Sequence, residues 1–313
     1  MVEAAEPLVR RPRLRRRIAL SILGSLLVTG ALGVQLAGRS GQFTAALRAA
    51  PIWLLSLAVL LNCVSLLART EAWNVCVRAT GATNTRRVLY RAAGTGYLLS
   101  VLNGSLGLAA RIASLRQAAP LDSPPLPALL AAEIPIITVE VMLTAVFSFT
   151  LIAPLGAPWW APILAVTVAL AALGGLRRLS NRRQLGLWRG LAVLHHDRGR
   201  MIALVLLGVA AQVARNWLVL RGIGARVSLF DAIALLIATF TLGQLPIGPS
   251  LGAAAAVLIL GSHGVATAAA AGVLLTATAT VGSLCYAGWA LLDQVIAHRP
   301  PPNPEPALAP SGT

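Results

Sequence analysis

Two acidic residues, Glu133 and Glu140, lie seven positions apart inside an apolar run, "AAEIPIITVEVMLTAV". Seven residues is close to two helical turns, so both carboxylates fall on one face of a helix. Ionisable groups inside such a run are costly, and they mark either a polar path or a buried pair. Arg111 closes the phrase "VLNGSLGLAAR" upstream and supplies a cation for either arrangement. The sequence leaves both open. It also sets Glu133 beside Pro135, whose missing N–H loosens the turn there.

A second kind of chemistry lies in the backbone. "VLNGSLGLAAR" (101–111) and "QLPIGPSLGAAAA" (244–256) share the core SLG-x-AA, 145 positions apart. Glycine, proline and serine interrupt apolar runs at both places. Irregular backbone at membrane depth exposes N–H and C=O groups that lipid does not satisfy, so it is buried in protein or lines a wet cavity. A helix that starts after such a break offers free N–H groups and a positive dipole end, which suit a phosphate. Asn103, Ser105, Gly107 and Arg111 in the first phrase, and Pro246, Ser250 and Gly252 in the second, are therefore candidate binding residues, with Glu133 and Glu140 lining the path. The small residues would let two tips approach closely. The competing reading is a pair of Gly/Pro-kinked spans with a structural role.

Other side chains carry simpler expectations. Arg69 and Arg215 sit near span ends and are expected to snorkel towards the interface. Trp73 and Trp217 read as interface anchors. Asp231 reads as a cap for the helix after it. His195–His196–Asp197 resembles a metal cluster, but neighbouring helical residues point about 100° apart and no third ligand is near, so no metal is assigned. No G-x-S-x-G, H-E-x-x-H or phosphate-loop motif occurs, no catalytic residue is assigned, and no cofactor is expected. Cys63, Cys76 and Cys285 are scattered without metal or disulfide spacing.

The elements that must position these groups are helices in lipid. The chain has 313 residues, of which 57% are hydrophobic and 12% charged, and a mean hydropathy of +0.77. A soluble domain carries about 25% charge. The net charge is +16, and all 26 basic residues are arginine. They lie in loops between apolar runs, which fits the positive-inside rule and contact with anionic lipid headgroups rather than a nucleic-acid partner. Six spans are expected, at 18–38, 51–68, 128–153, 159–176, 201–220 and 265–292, after a basic cytoplasmic N-terminus (1–17). The first span is read as retained rather than as a cleaved signal. A basic cytoplasmic loop (177–200) carries interleaved Leu and Trp, either as an amphipathic interfacial helix or as a solvated loop. A disordered Pro-rich tail (294–313) ends the chain.

Placing arginine-rich loops inside puts both ends of 92–110 on the cytoplasmic side and both ends of 229–261 outside. Each segment then enters and returns as a re-entrant hairpin. The 33 residues of 229–261 make two arms of about 16 each, about 24 Å long and short of the ~30 Å hydrocarbon core. About 21 of the 26 arginines fall on the cytoplasmic side in this arrangement. The halves also align by residue: "LLARTEAW" with "QVARNW", "RATG" with "RGIG", and "SLGLAA" with "SLGAAA". Trp73 to Ser105 is 32 positions and Trp217 to Ser250 is 33. The expected fold is thus all-α, a single membrane domain (18–293) with repeats at about 51–153 and 201–292, inverted relative to each other. Inverted repeats with broken elements near the midplane are a recurring transporter plan.

At these residues the chain resembles the membrane domain of lysylphosphatidylglycerol synthases and their stand-alone flippase-like relatives. Asn103, Gly107 and Arg111 match the family's first element, and Pro246, Ser250, Leu251 and Gly252 match most of its second. The resemblance covers roughly 18–293. It implies a multi-pass protein of the bacterial plasma membrane with cytoplasmic termini, no aminoacyltransferase domain, and lipid translocation. The lipid would be a phospholipid or isoprenoid-phosphate lipid with an anionic headgroup. Two departures matter: the family's glutamates fall on Leu108 and Ala255. Their loss favours an alternative, a non-transporting subunit that presents lipid to a partner glycosyl- or aminoacyltransferase.

Overall fold

A computed structural model describes residues 30, 39–101, 104–119, 124–182, 197–225, 227–242, 251–261 and 264–297. The described residues are helical, with no strand among them. The expected first span (18–38), the basic N-terminus and most of the arginine loop and tail lie outside the described residues.

Pro51 at the N-cap starts a long helix after the short α1 (Ser40–Ala49): α2 (Ile52–Ala79) runs for 28 residues, about ten beyond the expected span. Gly81 ends it, with φ of 89° and its N–H donating to the Arg78 carbonyl at 2.9 Å. The helical pair α3 (Arg86–Ser100) and α4 (Gly104–Ala118) follows. The next apolar run is broken rather than continuous. Helix α5 (Leu126–Ala131) stops, Ala132 and Glu133 form a turn, and α6 (Ile134–Phe147) restarts with Pro135 in its first turn. Pro135 has no N–H to continue the ladder, which is the physical cause of the break. A 3₁₀ turn (Ser148–Leu151) and α7 (Ile152–Leu155) finish the run, and α8 (Ala161–Arg182) follows.

The second half begins with α9 (Arg198–Gly222). Gly224 ends it as Gly81 ends α2, with φ of 80° and its N–H on the Arg221 carbonyl at 3.0 Å. The matched phrases "RATG" and "RGIG" thus make the same helix stop. In each half the next helix starts five residues later, α3 at Arg86 and α10 (Leu229–Leu242) at Leu229. Ser228 caps α10: the Asp231 N–H donates to the Ser228 hydroxyl at 3.2 Å, and the Asp231 carboxylate accepts from the Ser228 N–H at 2.8 Å. This reciprocal cap is the role expected of Asp231. Helices α11 (Leu251–Leu260) and α12 (Val265–Ala297) complete the described chain.

Four helical stretches are long and apolar enough to cross a membrane: Ile52–Ala79, Leu126–Leu155, Arg198–Gly222 and Val265–Ile296. The stretch Ala161–Gly175, on the expected fourth span, is a shorter apolar helix. Large apolar side chains such as Ile52, Leu60, Val168, Leu170, Leu207 and Leu292 are exposed, while Asn62, Thr70, Glu71, Asn74, Arg111, Glu133 and Arg215 are buried. That reverses the usual distribution in water and fits helices that face lipid.

Packing rests on small residues. Helices α2 and α9 run antiparallel, with Gly222 against Leu54 at one end, Gly208 against Ser65 in the middle, and Arg200 against Glu71 at the other. One core cluster gathers Ala232, Ala234, Leu235, Ala255, Ala256, Ala268 and Ala271 from α10, α11 and α12. Another gathers Trp73, Val77, Leu89, Leu115, Leu129 and Ile136 around α2 to α6. At Gly107 and Gly252 the nearest neighbours lie within each half rather than between tips. Gly107 meets Gly96 and Ser100 of α3, and Gly252 meets Gly272 and Thr276 of α12.

A Cβ at Gly96 would lie 2.8 Å from the Arg111 Cβ and 2.9 Å from the Gly107 carbonyl oxygen, whereas Gly288 has nothing within 4 Å. Gly96→Val is expected to destabilise the protein by about 1–3 kcal/mol through overpacking. Gly288→Ala is expected to be neutral or slightly stabilising. Thermal unfolding in detergent micelles checks the contrast; equal melting temperatures for the two variants would contradict the packing described.

Candidate functional site

One face of α2 carries Leu66, Arg69, Thr70 and Trp73, spaced three and four apart. Around it the fold gathers the charged residues that the sequence singles out. Arg111 of α4 pairs with Glu133 at the α5–α6 break, and both side chains are buried. The Arg111 guanidinium carbon also lies 4.4 Å from the centre of the Trp73 ring, a cation–π contact with a desolvated cation. One turn away Arg69 pairs with Glu140 at 2.7 Å. Tyr97 of α3 reaches the Leu66 carbonyl at 3.1 Å, and the Tyr286 hydroxyl of α12 donates to Thr70 at 3.2 Å. Two ion pairs and two tyrosines thus line α2 between the hairpin and the broken helix.

Of the candidate residues, Gly107, Arg111 and Glu133 come together at this site, and Glu140 lies beside it. Ser105 is on the first turn of α4. Gly252 is on α11, packed against Gly272 and Thr276 of α12. Asn103, Pro246 and Ser250 lie outside the described residues, as do His195 and His196. Among the described residues no group of three or more His, Cys, Asp or Glu side chains stands ready to hold a metal. Leu108 and Ala255, the two positions singled out as departures in the sequence, are packed with apolar neighbours. Ala255 is fully buried in the alanine-rich cluster, and Leu108 packs against the cluster around Trp73.

Two expectations are corrected. Trp73 is fully buried beneath Arg111 and anchors no interface. Arg215 does not snorkel: it is 8% exposed, seven residues from the end of α9, about 10 Å along the axis. Its guanidinium is held inside the helix pair instead, donating to Asn62 Oδ1 of α2 at 2.6 Å and to Asn216 Oδ1 at 3.3 Å. Its Nε finds no acceptor. Gln212 extends this polar patch to Asn62 and to Ser65 at 3.1 Å. Unlike Arg69 and Arg111, Arg215 has no carboxylate partner among the described residues.

Residues the sequence reading passed over complete the electrostatics. Glu71 of α2 accepts from Arg86, from Arg200 at 2.8 Å, from Tyr90 at 2.9 Å and from Asn74 at 3.1 Å. Asp293 of α12 accepts from Arg91 at 2.6 Å and from Arg87. The signal for both was their type: carboxylates near the ends of apolar runs, facing loops rich in arginine. Hydrogen bonds to Glu71 and Asp293 hold the Arg86 and Arg87 guanidiniums above their ordinary pKa, so both stay cationic at physiological pH.

Comparison of the chain with protein-family models, with curated proteins and with solved structures finds no match. The fold and site therefore define a class only: a helical protein with several helices apolar and long enough for a membrane, and with ion pairs buried among them.

Removing one member of a buried pair leaves an uncompensated charge, which costs about 3–5 kcal/mol, whereas replacing both by apolar groups is often neutral. Glu133→Gln is therefore expected to destabilise the protein by about that amount. The double variant Arg111→Met/Glu133→Leu is expected to recover most of the loss. Chemical unfolding of the three variants in micelles measures this, and a double variant worse than Glu133→Gln would rule out the pair as described.

Proposed function

We propose that this chain is a lipid translocase of the plasma membrane, which passes an anionic headgroup through a polar path while the acyl or isoprenoid tails stay in the bilayer. Two halves, 51–153 and 201–292, form an inverted repeat of helix, re-entrant hairpin and helix, with both termini cytoplasmic. Several features support the repeat. The two long helices stop at the same Arg-x-x-Gly turn, and the next helix follows at the same interval. The arms are short: α3 and α4 have 15 residues each, α10 has 14 and α11 has 10, so each is at most about 23 Å long against a ~30 Å core. Helices α2 and α9 cross antiparallel at Ser65 and Gly208, as inverted equivalents would. Helix α3 packs on α12, and α10 packs on the 3₁₀ turn after α6, so each hairpin meets the last element of the other half.

The observation that carries transport is Arg215. A buried cation without a carboxylate is costly, and an anionic headgroup supplies the missing charge only while it passes. Arg111 in the other half is neutralised by Glu133, and Trp73 below it keeps an indole N–H without an acceptor. The resemblance to the flippase-like family agrees with this reading. The mutual neutralisation of Arg111 and Glu133, and the apolar packing at Ala255, favour the second reading, a non-transporting subunit that presents lipid to a partner transferase.

Purified protein in liposomes is expected to move a labelled anionic phospholipid or isoprenoid-phosphate lipid between leaflets. Arg215→Gln is expected to slow this at least tenfold while keeping the thermal stability. No movement by the wild type, together with co-purification of a stable transferase, would replace transport by the second reading. Topology has its own check, with Cys63, Cys76 and Cys285 replaced. Cysteines at Thr83 and Gln117 are expected to label from one face of the membrane, and cysteines at Leu229 and Gly261 from the other. Opposite-side labelling of either pair would refute the re-entrant hairpins.

A further inference from the structure

A cavity of about 310 Å³ lies between the C-terminal end of α2 and the first turns of α3 and α9, lined by Glu71, Asn74, Arg78, Arg86, Asp197 and Arg200. It does not include the Arg111 pair: Glu71, Asn74 and Arg78 follow a stripe of α2 beside that of Arg69, Thr70 and Trp73, and none of those three, nor Arg111 or Glu133, lines it. We propose that this cavity binds a phosphate ester that also carries a hydroxyl group, whether as a phosphoglycerol lipid headgroup or as a soluble glycerol or sugar phosphate. The site does not depend on the translocase reading, and its test reads binding rather than transport.

Charge gives the first half of that ligand. Three guanidiniums face two carboxylates, which leaves one positive charge over. Glu71 repels an anion little, because Arg86, Arg200, Tyr90 and Asn74 already saturate its oxygens. It acts as a clamp that draws arginines from two other helices to one rim. Arg86 and Arg200 are 55% and 58% exposed, so their remaining N–H donors stay open. Arg78 is exposed and forms no ion pair among the described residues. The first turns of α3 and α9 add backbone N–H groups, and among the described residues neither N-cap, Thr85 or Asp197, makes a side-chain capping bond to them. Several N–H donors around a small concave space suit a phosphate group, which accepts on several oxygens at once.

Asn74 gives the second half. It is 2% exposed and donates its amide N–H to Glu71 at 3.1 Å, so its Oδ1 is the atom left over. That oxygen is buried and has no hydrogen-bond partner. A phosphate oxygen is an acceptor too and does not satisfy it. A hydroxyl on the same ligand does, and burying an acceptor without a donor costs about 1–3 kcal/mol. The cavity therefore asks for an anion and a donor in one small molecule. Inorganic phosphate meets the first demand and not the second.

The test uses the full chain in nanodiscs of phosphatidylcholine. Calorimetric titration with glycerol 1-phosphate, with methyl phosphate and with glycerol forms the soluble arm. Native mass spectrometry of protein extracted from nanodiscs containing phosphatidylglycerol forms the lipid arm. The wild type is expected to bind glycerol 1-phosphate more tightly than methyl phosphate, or to retain phosphatidylglycerol over phosphatidylcholine. The arm that responds identifies the source. Arg78→Gln, at an exposed position, is expected to weaken that binding at least tenfold. Asn74→Ala is expected to abolish the preference for the hydroxyl-bearing ester; if Asn74→Ala does not fold, Arg78→Gln decides alone. Absence of binding in both arms, or wild-type affinity in Arg78→Gln, overturns the proposal.

Discussion

Four carboxylates of the helical body are each held by an arginine from a different helix. Glu71 ties α2 to α3 and α9, Glu133 ties the α5–α6 turn to α4, Glu140 ties α6 to α2, and Asp293 ties α12 to α3. In lipid this matters more than in water. Apolar helix surfaces gain little by meeting each other there, since lipid tails are as apolar as leucine. The alanine and glycine surfaces of α10, α11 and α12 allow close approach, but smooth surfaces choose no register. An arginine–carboxylate pair does, because a slip of one residue leaves two desolvated charges apart. The pairs therefore specify the arrangement that the small residues make dense.

The two matched SLG phrases differ in charge. In the first, the hairpin phrase ends on Arg111 and finds Glu133; in the second, the aligned phrase ends on Ala256, fully buried among other alanines. The first half is thus locked by ions and the second by small-residue packing. Arg215 is the exception, a cation on the second half's long helix with amides for partners. Arg111 is thus neutralised by a carboxylate, whereas Arg215 has only amide partners among the described residues.

Much of the local structure was legible in the sequence. The matched Arg-x-x-Gly phrases mark the two helix stops, Ser228 with Asp231 spells a reciprocal cap, and the proline after Glu133 marks the break. These are short-range effects that a few residues determine. The placing of Trp73 and Arg215 was not legible, and for one reason. Hydropathy and position near a span end say how deep a residue lies, not which neighbour covers it. Trp73 looks like an interface anchor until α4 lays Arg111 across its ring. Arg215 looks free to reach the surface until α2 sets Asn62 against it. The pairing of Asp293 with Arg87 and Arg91 joins residues about 200 positions apart, a distance at which only the fold decides partners.

Helix α2 is the wall that both polar regions share. One stripe carries Arg69, Thr70 and Trp73 towards the paired charges; the other carries Glu71, Asn74 and Arg78 towards the open cavity. Helix α3 touches both. Its first turn is held at Glu71 through Arg86, and its far end is held at the other stripe through Tyr97 on the Leu66 carbonyl and on Thr70. The same helix is fixed to α12 by Asp293 and by the edge-on rings of Tyr97 and Tyr286. Helix α3 thus has its first turn at the cavity rim and its far end beside the Arg111 site. The two regions therefore share α2 and α3 as common walls, held in place by the close packing of the helices around them.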